Sequence, residues 1–356
     1  MTPTLLFQFI GTLAILVVLV LAWTAVRSWL RGRRPVQAPA PALVRVRRVV
    51  DEATDIKSFE LVSADGSALP AWSAGAHIDV RIDDKTVRQY SLCGAPGTRD
   101  AYLIAVKNAP DSRGGSRTMH QSVSVGDTLV ISGPRNHFAL VDGARHYLLI
   151  AGGIGITPLL AMARELQTRG ASYELHYFVR SSAATAFREL LSSEPYAGKV
   201  TFHHTGADRS REQLRPLLGK CPQGHHLYMC GPRGFTDLIG ELTAGIWPPE
   251  AIHVEYFSAD SAALAAPGQA FEVKLQRSGR TIPVPAGSSI VDTLCAHGID
   301  VATSCREGVC GTCLTGVIAG TPDHRDAFLS AKERTAGDKI MICVSRAKSE
   351  QLVLDL

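Results

Sequence analysis

Apolar positions change rhythm along this chain. From Leu5 to Val26 they run without a charge, as LLFQFIGTLAILVVLVLAWTAV. From Leu43 to about Leu140 they come in short bursts broken by Gly, Asp and Pro. From His146 onward, continuous apolar runs alternate with stretches of helical period. After Phe271 short alternating runs return.

The first run would span about 30 Å of hydrocarbon as a helix, and it is apolar on every face, unlike a core helix. Trp23 and Trp29 stand where an interface belt would lie, and Arg27, Arg31, Arg33 and Arg34 follow directly. These features predict an N-terminal transmembrane helix over residues 1–30, with the remainder in the cytoplasm. A cleaved signal peptide is the competing reading, weakened by the lack of a cation before the apolar run. Residues 31–42, which contain PVQAPAP, read as a stiff linker.

Short strands are expected over 43–46, 56–62, 77–82, 87–92, 102–106, 128–132 and 138–140. Together they predict an antiparallel β-barrel over residues 43–142. Residues 143–258 alternate strands (146–151, 173–179, 199–204, 226–230, 253–257) with helices (158–170, 184–192, 213–218, 235–243). That order predicts an α/β doubly wound parallel sheet with its ligand edge at the C-terminal ends of the strands. Small residues over 259–270 form a second linker. Residues 271–356 predict a mixed α+β sheet, with strands at 271–275, 281–284, 316–319 and 339–344 and one helix over 289–297.

At 356 residues the chain suits two or three domains. Hydrophobic content of 46% against 20% charged residues fits packed cores. A net charge of +4, with no basic stripe of interleaved aromatics, argues against nucleic acid as a partner. Eight scattered cysteines do not make a disulfide framework and fit a reducing compartment. No Ser or Cys sits in a nucleophile elbow.

The chemistry concentrates near the C-terminus. Cys305, Cys310 and Cys313 form C-x4-C-x2-C, and Cys343 follows. This is the spacing of a [2Fe–2S] cluster. A zinc site would normally carry two C-x2-C knuckles, and only Cys310 and Cys313 make one. Gly308 and Gly311 allow the loop to wrap a cluster closely. A one-electron centre requires an electron source, which directs attention upstream. Arg88 and Ser91 could hold a phosphate or ribityl hydroxyls, and Tyr90 offers an aromatic face. Arg113, Gly114, Gly115 and Ser116 could present amides and a hydroxyl to a phosphate. Taken singly, an R-x-Y-S segment is most often just a strand and RGGS most often a flexible turn. Gly152, Gly153 and Gly155 make a strand-to-helix turn, with Thr157 as N-cap and Pro158 at the first helical position. Such a turn holds dinucleotide phosphates, although Pro158 replaces the third glycine of the full fingerprint. Cys230, Gly231 and Pro232 end a strand on the same edge; Cys230 reads either as a lone core thiol or as a neighbour of a nicotinamide. His203-His204 and His225-His226 lack metal spacing and read as solvated strand ends.

The assembly resembles the phthalate dioxygenase reductase family, which includes the vanillate O-demethylase reductases. The resemblance rests on RQYSL (88–92), RGGS (113–116), GGIGITP (152–158), CGP (230–232), EYF (255–257) and the four cysteines. It covers about residues 43–356 and leaves out the N-terminal run, because members are usually soluble. It implies a plant-type ferredoxin (β-grasp) domain at the C-terminus. It also implies FMN, rather than FAD, at 88–92 and 113–116, a nicotinamide cofactor at the glycine turn and Cys230–Pro232, and Phe257 by the flavin ring. Some relatives carry an acidic residue where Arg180 and Ser181 stand, so NADH is preferred and NADPH stays open. The implied activity passes electrons from NADH through FMN and the cluster to the terminal oxygenase of a Rieske-type mono- or dioxygenase system. With the apolar N-terminus, the expected location is the inner (plasma) membrane, single-pass, with the catalytic domains facing the cytoplasm. The alternative acceptor is an integral-membrane hydroxylase or desaturase. A reading of a different class is a non-enzymatic redox sensor or respiratory electron-transfer subunit.

Overall fold

The computed structural model describes residues 41–83, 86–109, 114–206, 210–259, 264–266 and 268–356. The Leu5–Val26 run and residues 31–40 of the expected linker lie outside them, while Ala42 already begins the first strand. Among the described residues no helix is long and apolar enough to cross a membrane. The longest, Ile156–Thr168, has 13 residues, which at about 1.5 Å per residue falls well short of a roughly 30 Å hydrocarbon core. The expectation of an inner-membrane location is therefore corrected: no described element supports it.

The first sheet contains β1 (Ala42–Ala53), β2 (Ile56–Ser63), β3 (Ala76–Arg81), β4 (Val87–Ser91), β5 (Tyr102–Lys107), β6 (Thr128–Ile131) and β7 (Arg135–Asn136). Its order is β4-β3-β6-β1-β2-β5, with β7 on β3. An antiparallel bridge between Leu92 and Ile104 joins the two ends and closes the barrel. Val44, Val46, Phe59, Leu61, Ile78, Val80 and Ile104 fill the interior, because alternate strand residues point to one side. No strand forms over 138–140. Instead the Asn136 side chain bonds the carbonyls of Ser73 and Ala74 and accepts from the Phe138 amide. This turns the chain and buries Phe138 against Tyr228.

One helix escapes the apolar pattern. Gly115–Ser122, α1, follows the RGGS segment directly. It reads as polar, since only Gly115 and Met119 are buried.

The second sheet holds β8 (His146–Gly152), β9 (Tyr173–Val179), β10 (Val200–His204), β11 (His225–Cys230) and β12 (Ile252–Glu255), ordered β10-β9-β8-β11-β12. Every pairing is parallel, and the continuous burial of β8 is what a sheet covered on both faces demands. The connecting helices are α2 (Ile156–Thr168), α3 (Arg188–Ser192), α4 (Ser210–Leu218) and α5 (Arg233–Thr243). The helix expected over 184–192 is split. A 3-10 turn covers Ser182–Ala184, and Phe187, with φ 56°, interrupts the path before α3. His204 is exposed at the end of β10, as expected, but His203 and His226 are not solvated strand ends. His203 stacks flat on Phe178 at 4.2 Å and meets His176 at 2.9 Å. His226 meets His253 at 3.0 Å. Neighbouring parallel strands bring these rings together, and burial lowers His203 and His253 to about 4.

The third sheet is mixed: β13 (Phe271–Leu275), β14 (Thr281–Val284), β15 (Leu314–Ala319), β17 (Lys339–Met341) and β19 (Gln351–Leu354), in the order β14-β13-β19-β15-β17. A small pair, β16 (Pro322–Asp323) and β18 (Arg346–Ala347), flanks it. The helices α6 (Ile290–Ala296) and α7 (Ala331–Ala336) complete the unit. Ser289 caps α6 by accepting from the Asp292 amide, and Ser330 and Glu333 form a capping box on α7. Val273, Leu294, Ile340 and Leu352 lie in a core that Cys313 and Cys343 join. Cys343 is not on a strand. It stands in the turn after β17, where the Val344 amide bonds the Met341 carbonyl, because the thiol must swing back toward the other three.

Candidate functional site

β4 carries Arg88, Tyr90 and Ser91 and lies antiparallel to β3. The start of α1 lies across it. A Cβ on Gly115 would meet Arg88 Cγ at 2.9 Å, so glycine lets the guanidinium stem lie over the helix start. Gly114 has φ 98°, a conformation that suits glycine. The Ser116 hydroxyl accepts from the Ala109 amide at 3.3 Å. Arg113 lies outside the described residues. A cavity of about 550 Å³ is lined by Arg88, Tyr90, Ser91, Ser116, Thr157 and Phe257. The structure thus joins residues from RQYSL, RGGS, the glycine turn and EYF in one space. The buried Tyr90 hydroxyl has no hydrogen-bond partner among the described residues, and Phe257 remains 38% exposed beside the opening. A planar ring with polar edges would cover both.

The glycine turn and the Cys-Gly-Pro turn touch backbone to backbone. A Cβ on Gly155 would meet the Cys230 carbonyl oxygen at 2.1 Å, and one on Gly152 would meet Phe235 at 2.8 Å. Gly231 packs against Gly152 in the same way. Gly153 instead supplies a φ of 54° in open space. The expected caps shift by a residue or two. Gly155, not Thr157, is the N-cap of α2, so Pro158 is the third helical residue. Thr157 donates to the Ile154 carbonyl at 3.0 Å. Pro232 caps α5 by position, and its carbonyl accepts from the Phe235 and Thr236 amides.

Residue-by-residue reading of the sequence missed a group at this corner. Cys230 is fully buried, and its partner across the sheet is Glu255. Ser91 donates from the barrel to Glu255 Oε2 at 3.3 Å. Burial pushes the Glu255 carboxyl up to about 8 from an ordinary 4.5, although Ser91 acts to lower it. Burial, followed by the charge of Glu255, raises the Cys230 thiol well above its ordinary range. A lone acidic residue ending the last strand was the available signal. A carboxyl with a raised folded-state pKa binds its proton more tightly folded than unfolded. The stability it contributes is full below about 4.5 and is lost as pH rises toward about 8. Melting temperature measured across that window should fall more steeply for the native protein than for Glu255→Gln, which keeps the hydrogen bond and cannot ionise.

The four cysteines converge. Cys305, Cys310, Cys313 and Cys343 are each at most 8% exposed. They contact one another in pairs: Cys305 with Cys310, and Cys313 with Cys343. The Cys305 contact, aided by Thr312, lowers the Cys310 thiol. Contact with Cys313 lowers Cys343. Amides aim at the sulfurs, Glu307 to Cys305 at 3.3 Å and Thr312 to Cys310 at 3.4 Å. Among the described residues no three such ligands close on a single ion, and two thiolates for each of two irons fit this pairing better than one tetrahedral zinc. Gly308 and Gly311 have φ of 72° and 76°, and added Cβ atoms would strike Val344 at 2.6 Å and Phe328 at 2.5 Å. Asp326 was also missed. Its carboxylate is buried and accepts from the Phe328 and Leu329 amides and the Ser345 hydroxyl. It fixes the segment that covers the cluster loop.

A second cavity, of about 330 Å³, joins all three parts. Arg88 and Ser91 line it from β4, Glu255 and Phe257 from the end of the parallel sheet, and Cys305 and Val309 from the cysteine loop.

A sequence family described as the 2Fe-2S iron-sulfur cluster binding domain matches residues 273–348. The vanillate O-demethylase oxidoreductase of Pseudomonas putida is 46% identical over 308 residues, covering 86% of this chain and 97% of that protein. A solved structure titled phthalate dioxygenase reductase, a modular structure for electron transfer from pyridine nucleotides to [2Fe-2S], is 38% identical. It aligns with a TM-score of 0.68 over 89% of this chain and 98% of its own.

The chain belongs to the phthalate dioxygenase reductase family. It is a NAD(P)H-dependent flavin iron–sulfur oxidoreductase. A third likeness, an intact type IV self-sufficient cytochrome P450 monooxygenase, is 38% identical with a TM-score of 0.80, over 91% of this chain and 43% of that one. The cofactors of a phthalate dioxygenase reductase are FMN, a [2Fe–2S] cluster and NADH, and this site fits them. Tyr90, whose buried hydroxyl has no partner among the described residues, lines the larger cavity, backbone packs on backbone where the glycine turn meets Cys230–Pro232, and thiols approached by amides pair in the cysteine loop.

Proposed function

We propose that this reductase takes hydride from NADH and delivers single electrons to the terminal oxygenase of a Rieske-type mono- or dioxygenase system. The observation that carries this reading is the cavity lined at once by the flavin strand, the end of the parallel sheet and the cluster loop. The flavin, when bound, converts the two-electron donor into a one-electron source for the cluster. The remaining work belongs to the protein. Arg88 and Ser116 would anchor the flavin phosphate, with Arg113 and the amides of Gly114 and Gly115 around it. Tyr90 and Phe257 would flank the ring. Gly152, Gly153, Gly155, Thr157 and Pro158, together with Gly231 and Pro232, would admit the pyridine nucleotide closely enough for α2 to face its phosphates. Cys230 and Glu255, both uncharged at neutral pH by virtue of burial, would leave the nicotinamide's landing place free of fixed negative charge. Cys305, Cys310, Cys313 and Cys343 would hold the cluster, and the Glu307 and Thr312 amides would tune its potential.

β9 is followed by Arg180 and Ser181 rather than by a carboxylate, and NADH remains the preferred donor. The Rieske partner is favoured because the vanillate O-demethylase and phthalate dioxygenase reductases match nearly end to end. Reconstitution decides it. NADH oxidation by the purified protein should become coupled to product formation when a Rieske non-haem iron oxygenase is added. Coupling to a cytochrome P450 but to no Rieske oxygenase would overturn the choice of partner.

A further inference from the structure

One carboxylate ties the cluster loop to the flavin strand. Asp79 lies in β3, directly across the ladder from Gln89. Gln89 stands between Arg88 and Tyr90 in β4. The Asp79 Oδ1 atom accepts from Gln89 Nε2 at 2.8 Å and from Arg135 Nη2 at 2.5 Å. Its other oxygen, Oδ2, accepts from the Ser304 hydroxyl at 2.6 Å, across 225 residues of chain. Ser304 immediately precedes Cys305, the first cysteine of the cluster loop. The Asp79 backbone is fixed as well. Its amide donates to Ser132 Oγ at 2.9 Å, and its carbonyl accepts from the Ser132 amide at 2.9 Å. Burial acts to raise the Asp79 pKa, but Arg135, Ser304 and Gln89 outweigh it and hold the carboxyl below its ordinary value. An ionised acceptor makes the Ser304 bond one of the stronger kind.

A second contact lies close by. Phe328, which covers Gly311 in the cluster loop, meets the His137 ring edge-on with centroids 4.9 Å apart. His137 directly follows β7, the strand that supplies Arg135.

We propose that Asp79 and Ser304 are positioning residues that hold the cluster loop in register with the flavin strand for the electron step between them. The proposal rests on the relay described above. Passage of a single electron between two enclosed centres weakens steeply with separation, so a loop that swings loses productive time. The spacing of the cysteines requires no hydroxyl at position 304. Asp79 gives that hydroxyl a task, because the flavin strand and the loop share its carboxylate.

The test uses the full chain loaded with both cofactors. Hydrogen–deuterium exchange is measured for the amides of residues 304–309 in the native protein, Ser304→Ala, Ser304→Thr and Asp79→Asn. The bleaching of the flavin and cluster bands by NADH under nitrogen is then timed in the same preparations. Ser304→Ala should speed loop exchange and slow cluster bleaching, each by about tenfold, the weight of one hydrogen bond to a charged group. Flavin bleaching should be unchanged. Ser304→Thr keeps the hydroxyl and should restore both properties. Asp79→Asn, which leaves the ferredoxin unit untouched, should reproduce the loss even if Ser304→Ala fails to retain a cluster. Native loop protection and native cluster bleaching in Asp79→Asn and Ser304→Ala would overturn the proposal. Failure of NADH to bleach the flavin in the native protein would instead overturn the relay reading.

Discussion

Replacing Cys310 by serine should abolish electron delivery to a protein acceptor and spare NADH oxidation by ferricyanide. Cys310 is the most enclosed of the four thiols, and contact with Cys305 lowers its pKa, which favours the thiolate that binds a metal. A serine hydroxyl in that place neither ionises at neutral pH nor matches the softness of sulfur for iron. Loss of an outer-shell partner already costs about 10–100-fold at metal sites, so removal of a ligand should cost at least about 100-fold in acceptor reduction. The flavin strand and the glycine turn lie in the other two sheets, so the ferricyanide rate should stay within about twofold. Cluster absorbance should vanish in parallel. The C-terminal unit should also melt earlier, since metal binding contributes folding free energy and Cys313 and Cys343 belong to that unit's core. Loss of both activities in Cys310→Ser would show that the division of labour is wrong.

Gly155→Ala should be the most damaging single methyl group in the nucleotide site. Its Cβ would lie 2.1 Å from the Cys230 carbonyl oxygen and 2.7 Å from the Gly231 amide nitrogen. Both contacts are backbone, so no side-chain rotation relieves them. Separating the two turns should cost about 3 kcal/mol, the upper end for overpacked cores, or roughly 6–12 °C in melting temperature. The KM for NADH should rise with it, because the two turns form the ligand edge together. Gly153→Ala is the internal control. Its φ is 54° but the space around it is open, so only the backbone penalty of about 1 kcal/mol applies. Equal losses in the two variants would show that the close approach of the turns is not what Gly155 provides.

Much of this was legible because ligand spacing and apolar rhythm are local properties. The cysteine pattern, the β8 run with its glycine turn and the alternating strands of the barrel all act within a few residues of themselves. What escaped depends on residues far apart. Gly115–Ser122 forms a helix although its sequence is polar, because it packs on Arg88 and β5 rather than through an apolar stripe of its own. Phe138 leaves its expected strand because Asn136 bonds back to Ser73 and Ala74. His203 is stacked rather than solvated because Phe178 lies one strand away. Glu255 meets Ser91 across 164 residues. Asp326 looks like any loop acid until its three donors are seen. The membrane location failed for another reason. It rested wholly on the Leu5–Val26 run, and no described element sustains it.

The central claim is that flavin and cluster form one relay fed by NADH. The most direct measurement is the visible spectrum of the protein under nitrogen before and after NADH is added, with the released flavin identified by chromatography. Flavin and iron–sulfur bands should bleach together, with FMN released. Absent cluster bands, or a spectrum that NADH leaves unchanged, would contradict that claim.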